Sequence, residues 1–257
     1  MDLPESFVIR ESGSRILNPL DPAKLDQLGR SLRLPPGSRL LDLACGKGEA
    51  LCTWARDLGF TGTGVDISRA FLADAEARAE ELGVAEAVRF VHGDAAEHVA
   101  EEPVEVVSCL GASWIGGGES WETHVSGTVA LMRRSLAPGG MLLLGEPWWR
   151  RVPETREALD GCYASSVESY AELPALLDLL DHEAWTSWAH CGGSGQLGPL
   201  RRSAVALGAT LVGPSSASPA GRRDAGGSLG RPAARSAAPA GASGLGCLHS
   251  DATVRRP

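Results

Sequence analysis

Apolar runs alternate with amphipathic segments along the first 193 residues of the chain. Nearly continuous apolar runs predict five strands, at residues 39–45, 62–67, 88–92, 104–110 and 141–145. Strands of this composition are typical of a parallel sheet that is covered by helices on both faces. The pattern therefore predicts an α/β fold with a doubly wound, mostly parallel sheet.

Helices are predicted in the intervals between these strands, and several carry recognisable end signals. Asp21 directly before Pro22 is a favourable helix start, with the acid as the N-cap and proline at the first helical position. Ser68 is a second N-cap, whereas Gly59 and Gly83 stop the helices that precede them. The predicted helices cover residues 21–32, 49–58, 69–82, 127–136 and 173–191, and residues 138–140 form a turn.

Residues 194–257 differ from the rest of the chain in composition. They carry eight Arg and two Asp, a charge of +6, which leaves −14 on the remainder. This tail holds no aromatic residue and no Ile or Met, so it buries too little apolar surface to offset the entropy of ordering. We predict disorder for most of it. The chain then divides into an N-terminal cap segment (1–34), a ligand-binding domain (35–193) and the tail.

Composition and charge narrow the classes of function. A net charge of −8 disfavours nucleic acid as a specific partner. The six cysteines form no Cys-x-x-Cys pair and show no zinc-type spacing with histidine, so no metal site is predicted and reduced thiols are expected. The N-terminus lacks the basic and apolar stretches of a signal peptide, and no stretch of the sequence is long and apolar enough to span a bilayer. We therefore expect a cytoplasmic protein.

Three candidate ligand-binding features follow successive strands, at the sheet edge where parallel sheets bind ligands. The first is the glycine turn ACGKG at 44–48, which lets a ligand approach backbone N–H groups at a helix N-terminus. The second is Asp66, 20 residues after Gly46, where a carboxylate accepts hydrogen bonds from both ribose hydroxyls. The third is Asp94 in HGDAA, where an acid would hold an adenine amino group. A dinucleotide is less favoured, because Leu51 stands where its fingerprint needs a third small residue.

Five stretches resemble the successive motifs of class I S-adenosylmethionine-dependent methyltransferases. They are LLDLACGKGE, GVDIS, HGDAAEH, VVSCLGASW and LMRRSLAPGGMLLLGEPWW, and the resemblance extends over about residues 5–180. A closer resemblance, to small bacterial methyltransferases of unassigned substrate, rests on RILNP at 15–19 and GEPW at 145–148. These resemblances imply a Rossmann-like fold, S-adenosylmethionine as the cofactor and methyl transfer as the activity.

The resemblance also implies which residues hold the cofactor. The glycine turn would line its methionine end, Asp66 its ribose hydroxyls and Asp94 the adenine edge. Arg15 and Asn18 would cover it from the N-terminal segment. The implied cofactor-binding residues are Asp42, Ala44, Gly46, Gly48, Asp66, Ile67, Asp94, Ala95, Cys109 and Gly111.

Candidates for the acceptor site follow the fourth and fifth predicted strands. A sulfonium methyl is already activated, so transfer chiefly requires a nucleophile held about 3 Å away and a site that excludes water. Glu146 would orient or deprotonate the acceptor, and the alternative for it is a carboxylate in solvent. Trp114 and Trp148 would form a lid or an acceptor wall, and the alternative for both is core packing. His124 is a further candidate base, but ESWETHV at 119–125 is typical of a polar loop.

The leading interpretation is methyl transfer from S-adenosylmethionine to a small molecule. Two alternatives are a catalytically inactive S-adenosylmethionine-binding protein and an NAD-dependent oxidoreductase. A nucleic-acid methyltransferase is disfavoured, because CLGASW at 109–114 contains no Asn-Pro-Pro-Tyr-type run and the body has no basic patch.

The tail departs from the family, whose sheet ends in a β-hairpin. One interpretation is a natural disordered extension. The other is a shifted reading frame, because high-GC coding DNA read out of frame yields Ala, Gly, Arg and Pro. On suitable codons, reading one base later across 196–202 gives a Ser-Trp-Asp-Arg-Tyr string similar to one in the close relatives. Without the hairpin the neighbouring strand would keep an unpaired edge, so we expect a chain less stable than its relatives.

Overall fold

The computed structural model describes residues 5–18, 20–182, 188–190, 204–211 and 248–251. Its helices and strands, in chain order, are α1 (Glu5–Glu11), α2 (Pro22–Ser31), β1 (Arg39–Leu43), α3 (Glu49–Leu58), β2 (Thr61–Asp66), α4 (Arg69–Glu81), β3 (Val88–His92), β4 (Val104–Leu110), α5 (Trp121–Arg133), β5 (Leu136–Trp149), α6 (Arg156–Gly161), β6 (Ala171–Glu172), α7 (Leu173–His182), β7 (Trp188–His190), β8 (Ala204–Leu211) and β9 (Leu248–Asp251). Short 3-10 turns cover Ser113–Gly116 and Val167–Ser169.

The strands form one sheet in the order β3-β2-β1-β4-β5-β8-β7, and all neighbours in this row are parallel. The short strand β6 adds to β5 in parallel, and β9 pairs with β8 in the antiparallel direction. The strand order reverses between β1 and β4, which opens a crevice at the carboxyl ends of these two strands. The predicted Rossmann-like, doubly wound and mostly parallel sheet is confirmed.

Two apolar cores cover the two faces of the sheet. In β4 the alternation of a strand sends Val106 toward the core beneath α2 and α3, and Val107 toward the core beneath α5 and α7. Helices α2 and α3 approach closely because Gly29 has no side chain. A Cβ at this position would lie only 2.6 Å from the indole nitrogen of Trp54. That nitrogen donates to the carbonyl of Leu25 at 2.9 Å, so the buried indole is satisfied.

The helix ends that the sequence predicts are present in the structure. Asp21 accepts a hydrogen bond from the Lys24 backbone at 2.8 Å, and Ser68 caps α4 through the backbone N–H of Phe71. Gly59 ends α3 in the left-handed region, with a φ of 71°, where glycine is favoured. These local signals fix the connections that lead into the crevice.

Helix α5 starts earlier than predicted. It begins at Trp121, because Ser120 and Thr123 form a capping box of reciprocal side-chain to backbone hydrogen bonds. His124 therefore lies in the first helical turn, and the predicted polar loop at 119–125 is wrong. The helix ends at Arg133 instead of residue 136, since Leu136 already pairs with Val104 in the sheet.

Strand β5 is much longer than predicted at both ends. Its pairing with β4 starts at Leu136 and resumes at Met141 after a register shift. The predicted turn at 138–140 is therefore a bulge inside the strand, with Gly139 at a φ of 78°. At the other end, Glu146 and Trp148 lie within the strand and do not follow it.

Two segments of the C-terminal tail are strands, namely β8 and β9. The edge of β5, which was expected to be unpaired, is paired. Ala204–Leu211 pairs along residues 143–149 of β5 and covers that edge. Its sequence, AVALGATL, is an apolar run that the overall composition of the tail concealed. Within the predicted helix 173–191, Trp188–His190 is also a strand. The remaining tail residues, on which the disorder and reading-frame interpretations depend, lie outside the described residues.

Candidate functional site

A cavity of about 640 Å³ lies at the carboxyl ends of β1, β2 and β4, at the point where the strand order reverses. Loops after four strands form its walls, and the N-terminal segment contributes a further side. Nine of the predicted site residues line it: Asp42, Ala44, Gly46, Asp66, Ile67, Asp94, Ala95, Gly111 and Trp114. Four do not: Gly48, Cys109, Glu146 and Trp148.

The glycine turn after β1 depends on left-handed backbone. Ala44, Gly46 and Gly48 have φ values of 55°, 54° and 66°, a region that costs a side-chain-bearing residue about 1 kcal/mol. Gly46 is also close-packed, since a Cβ there would lie 2.8 Å from the Leu17 side chain. Gly48 faces Phe90 on the other side and caps α3, so it shapes the turn and does not border the cavity.

Asp66 connects the loops after β1 and β2. One carboxylate oxygen accepts the Gly46 N–H and the other accepts the Ser68 N–H, both at 2.8 Å. The residue is buried at the end of β2 but still reaches the cavity wall. A carboxylate offers about four acceptor sites, more than these two bonds use. Asp66 can therefore position the glycine turn and bind hydroxyl groups at the same time.

Asp42 is the second buried acid of this wall. Ser108 donates to its Oδ1 at 2.6 Å. The pKa of Asp42 is raised to about 7, chiefly by burial; the hydrogen bond from Ser108 opposes this rise, and the nearby Asp66 carboxylate adds to it. A cationic group bound beside these two acids would favour their ionised forms. The wall thus suits a ligand that brings positive charge.

The opposite end of the cavity combines apolar surface with an exposed acid. Ile67 and Ala95 line it, together with Asp94, whose Oδ1 accepts the Ala96 N–H at 2.9 Å. An apolar wall beside a carboxylate is suited to a flat heterocycle that carries hydrogen-bond donors. The placement of Asp94 and Ala95 at the adenine edge stays a prediction.

The N-terminal segment roofs the cavity, and Lys47 holds it there. The Lys47 ammonium donates to the carbonyl oxygens of Glu11 and Ser12 at 3.1 Å each and pairs with Asp74 at 3.1 Å. Its side chain is only 4% exposed. The sequence predicts no role for Lys47, because its partners lie far away along the chain. Other lining residues that it did not predict include Phe7, Leu17, Phe71 and Ile115.

The roof also meets the end of β4. Gly111 has a φ of 78°, and a Cβ there would lie 2.1 Å from Oδ1 of Asn18. Arg15, the other predicted covering residue, forms long ion pairs with Glu49 at 3.9 Å and Glu81 at 3.7 Å. Arg15 and Asn18 both line the cavity, so the N-terminal segment lies where the resemblance implies.

Trp114 stands at the mouth of the cavity, because it lines the cavity and is 59% exposed. Core packing, the alternative for Trp114, is therefore wrong. Its 3-10 turn is fixed on α5: Thr128 donates to the Ser113 carbonyl at 2.6 Å, and a Cβ on Gly127 would meet the Gly116 carbonyl oxygen at 2.1 Å. The indole thus projects from a rigid base.

Glu146 and Trp148 are buried behind this turn, and Glu146 is only 5% exposed. The alternative of a solvent-exposed carboxylate is therefore wrong for Glu146. Trp148 is packed in the interior, as its alternative, core packing, states. Burial raises the pKa of Glu146 to about 8, and a hydrogen bond with Ser113 opposes this shift. Cys109 is likewise fully buried, on the α5 side of the sheet, and it does not line the cavity.

Two further properties concern the described ranges as a whole. No helix within them is long and apolar enough to cross a membrane. Among the cysteines that they contain, Cys45, Cys52 and Cys109 are free thiols.

Comparison with known proteins places this site in a family. A family model described as a methyltransferase domain matches residues 40–140. The uncharacterized protein YjhP of Escherichia coli K12 is 50% identical over 181 residues, which span 70% of this chain and 71% of YjhP. Two solved structures of S-adenosylmethionine-dependent methyltransferases in complex with S-adenosyl-L-homocysteine are similar. The Thiobacillus denitrificans protein is 49% identical over 71% of each chain, with a TM-score of 0.65. The Geobacter sulfurreducens protein is 50% identical over 72% of each chain, with a TM-score of 0.67.

The residues of the cavity fit S-adenosylmethionine, which is the cofactor of this family. The buried acids Asp42 and Asp66 suit its positive charges and ribose hydroxyls. The turn at Gly46 leaves no room for a Cβ, so only backbone borders the ligand there. The chain belongs to the class I S-adenosylmethionine-dependent methyltransferases.

Proposed function

We propose that this chain transfers the methyl group of S-adenosylmethionine to a small-molecule acceptor. The observation that carries the proposal is the enclosure of the cavity. The N-terminal segment roofs it through Lys47 and Asn18, and Trp114 stands at its mouth. A volume of about 640 Å³ must hold both cofactor and acceptor, and this volume is in the range of small-ligand sites.

Different residues of the cavity bind different parts of the cofactor. When bound, S-adenosylmethionine supplies a methyl group that its sulfonium already activates. Asp66 holds the ribose hydroxyls, while Asp42 and the turn at 44–48 surround the methionine end. The adenine end lies against Ile67, Asp94 and Ala95. Gly111, which lines the cavity without a side chain, would lie beside the sulfonium.

The charge around the cavity argues against a polyanionic acceptor. Asp42, Asp66, Asp94 and Glu49 line it. Two cations, Arg15 and Lys47, also line it, but both are paired with carboxylates: Arg15 lies 3.9 Å from Glu49, and Lys47 lies 3.1 Å from Asp74. Specific nucleic-acid binding relies on clustered cations that contact phosphates. The electrostatics therefore favour a neutral or cationic small molecule over a nucleic acid.

The proposal is tested by measuring which class of molecule receives a labelled methyl group. The full chain is incubated with methyl-labelled S-adenosylmethionine and an Escherichia coli extract that has been separated into small-molecule, protein and nucleic-acid fractions. We expect label in the small-molecule fraction, and none with an Asp66→Ala variant. Label in protein or nucleic acid would contradict a small-molecule acceptor. Binding of S-adenosylhomocysteine without any transfer would favour the inactive binding protein, and binding of NAD alone the oxidoreductase.

A further inference from the structure

The two cationic side chains that line the cavity differ in how fully their donors are used. The Lys47 side chain is only 4% exposed, and its ammonium has three oxygen partners at 3.1 Å each. These partners use all three donors of the ammonium group. The Arg15 side chain is 46% exposed, and its guanidinium donates no hydrogen bond to the described part of the chain. Arg15 therefore offers the donors that Lys47 does not.

The acids that face Arg15 are already paired with another cation. Arg78 donates to the two carboxylate oxygens of Glu49 at 2.9 and 2.8 Å and lies 2.8 Å from Oε2 of Glu81. Arg15 reaches the same two acids only at 3.9 and 3.7 Å, which is too long for a hydrogen bond. Exposed pairs of this kind contribute little to stability. The fold thus gives Arg15 no strong partner of its own.

Arg15 stands at the end of the cavity that the proposed binding mode gives to the methionine part of the cofactor. Its Nε lies 3.9 Å from Glu49, the first residue of α3, which directly follows the glycine turn. The adenine edge with Asp94 follows β3, at the opposite end. The methionine part carries both an ammonium and a carboxylate. Asp42 and Glu49 suit the ammonium, but a carboxylate enclosed beside these acids needs a cation.

We propose that Arg15 binds the carboxylate of the methionine part of the cofactor and thereby fastens the roof to the bound cofactor. A guanidinium matches a carboxylate through two parallel N–H donors. Because Arg15 belongs to the roof and the turn at 44–48 belongs to the opposite wall, a carboxylate between them joins the two. The proposal rests on the cofactor placement in the proposed function and holds for any acceptor.

The roof has few other attachments, so this contact changes how it is held. Helix α1 has no buried residue. Lys47 holds the carbonyl groups of Glu11 and Ser12, and Asn18 meets Gly111 at the other end of the segment. Arg15 lies between these two attachments. Its contact with the cofactor adds a third, which exists only when the ligand carries a carboxylate.

A thermodynamic cycle on the full chain tests the contact. Calorimetry measures the Kd of S-adenosylhomocysteine and of decarboxylated S-adenosylhomocysteine, which lacks only the carboxylate. We expect the wild type to bind the first about thirtyfold more tightly, equivalent to about 2 kcal/mol. In Arg15→Met, which keeps the apolar stem, this ratio should fall to about threefold or less because only the acidic ligand loses a contact. Arg15→Lys should restore part of the ratio, since it keeps the charge but not the fork.

Arg56→Met is the matched control, because Arg56 is also paired with a carboxylate, that of Asp57, and does not line the cavity. It should keep the wild-type ratio, and urea unfolding verifies that each variant is folded. A wild-type ratio near one, or an unchanged ratio in Arg15→Met, would overturn the assignment of Arg15 and leave the proposed function intact. A wild type that binds neither ligand would refute the proposed function itself.

Hydrogen exchange of residues 5–18 tests the fastening of the roof. Each ligand is kept saturating, so that any difference reports on the complex and not on occupancy. We expect exchange in this segment of the wild type to be at least about threefold slower with S-adenosylhomocysteine than with the decarboxylated ligand. In Arg15→Met the two ligands should protect the segment equally. Equal protection by both ligands in the wild type would overturn the fastening.

Discussion

The ammonium group of Lys47 lies 3.1 Å from the carbonyl oxygen of Ser12, so a residue of the cofactor turn holds the segment that roofs the cofactor cavity. The same group reaches the Glu11 carbonyl and Asp74, also at 3.1 Å each. Three oxygen partners satisfy the three donors of an ammonium group, which offsets the cost of burying it. A change in the roof is therefore transmitted to the turn through one side chain.

Replacing Lys47 by Met tests this connection. Met retains the apolar stem, but it removes the ammonium group, which makes the three polar contacts and lies 5.7 Å from the centre of the Phe71 ring. Because the roof loses its attachment, we expect the Kd for S-adenosylhomocysteine to rise about tenfold, equivalent to about 1.4 kcal/mol. Most of the change should be a faster dissociation rate. Calorimetry and stopped-flow fluorescence measure the two quantities.

Lys24→Met provides the matched control, because Lys24 is the only other lysine of the chain and does not line the cavity. It should bind S-adenosylhomocysteine like the wild type. An unchanged dissociation rate in Lys47→Met would show that the N-terminal segment does not retain the cofactor.

A pair of glycine variants separates backbone strain from contact with the roof. Gly111 and Gly83 have φ values of 78° and 69°, so alanine at either position costs about 1 kcal/mol of stability through strain. A Cβ at Gly83 meets nothing within 4 Å, whereas a Cβ at Gly111 lies 2.1 Å from Oδ1 of Asn18. We therefore expect similar losses of stability from Gly111→Ala and Gly83→Ala, but at least about tenfold weaker cofactor binding only for Gly111→Ala. Equal cofactor affinities in the two variants would contradict a role for the Asn18 contact.

The sequence predicts those parts of the site that depend on local signals. The strands before Asp66 and Asp94 are apolar runs, and the ends of parallel strands meet at one edge of the sheet. The glycine turn is also local, because its left-handed residues lie within a few positions of each other. Patterns of this kind do not require knowledge of which distant segments meet.

The features that the sequence does not predict depend on contacts between segments that are far apart in the sequence. Lys47 holds the roof because it contacts Ser12, which follows α1, and Asp74 on α4. The burial of Glu146 was not predictable because Gly145 and Pro147, on either side of it, interrupt the apolar pattern of the strand. In the structure the strand continues through them because β6 and β8 pair with its end.

Asp66→Asn tests the central acid of the cofactor site. The two backbone donors, Gly46 N–H and Ser68 N–H, now bond to two carboxylate oxygens at 2.8 Å. The amide has one acceptor oxygen, so one backbone donor faces an NH₂ group. We expect S-adenosylhomocysteine to bind about a hundredfold more weakly, equivalent to about 2.7 kcal/mol, by calorimetry. Asp57→Asn, an exposed change on α3 away from the cavity, should leave the affinity unchanged, and an equal loss in both variants would refute the role of Asp66.

The buried carboxyl of Glu146 gives the stability of the chain a specific pH dependence. Burial raises its pKa from the ordinary value of 4.5 to about 8, so the folded state binds this proton more tightly than the unfolded state. The free energy of unfolding therefore falls as the pH rises from about 4.5 to about 8, by up to about 1.4 kcal/mol for each pKa unit. Glu146→Gln has no such proton, whereas Asp42, whose pKa is also raised, is present in both proteins and cancels. Urea unfolding across this range should show Glu146→Gln gaining stability relative to the wild type until about pH 8 and holding a constant advantage above it. A difference between the two proteins that does not change with pH would mean that Glu146 is ionised throughout, and hence that it has a charged partner in solution.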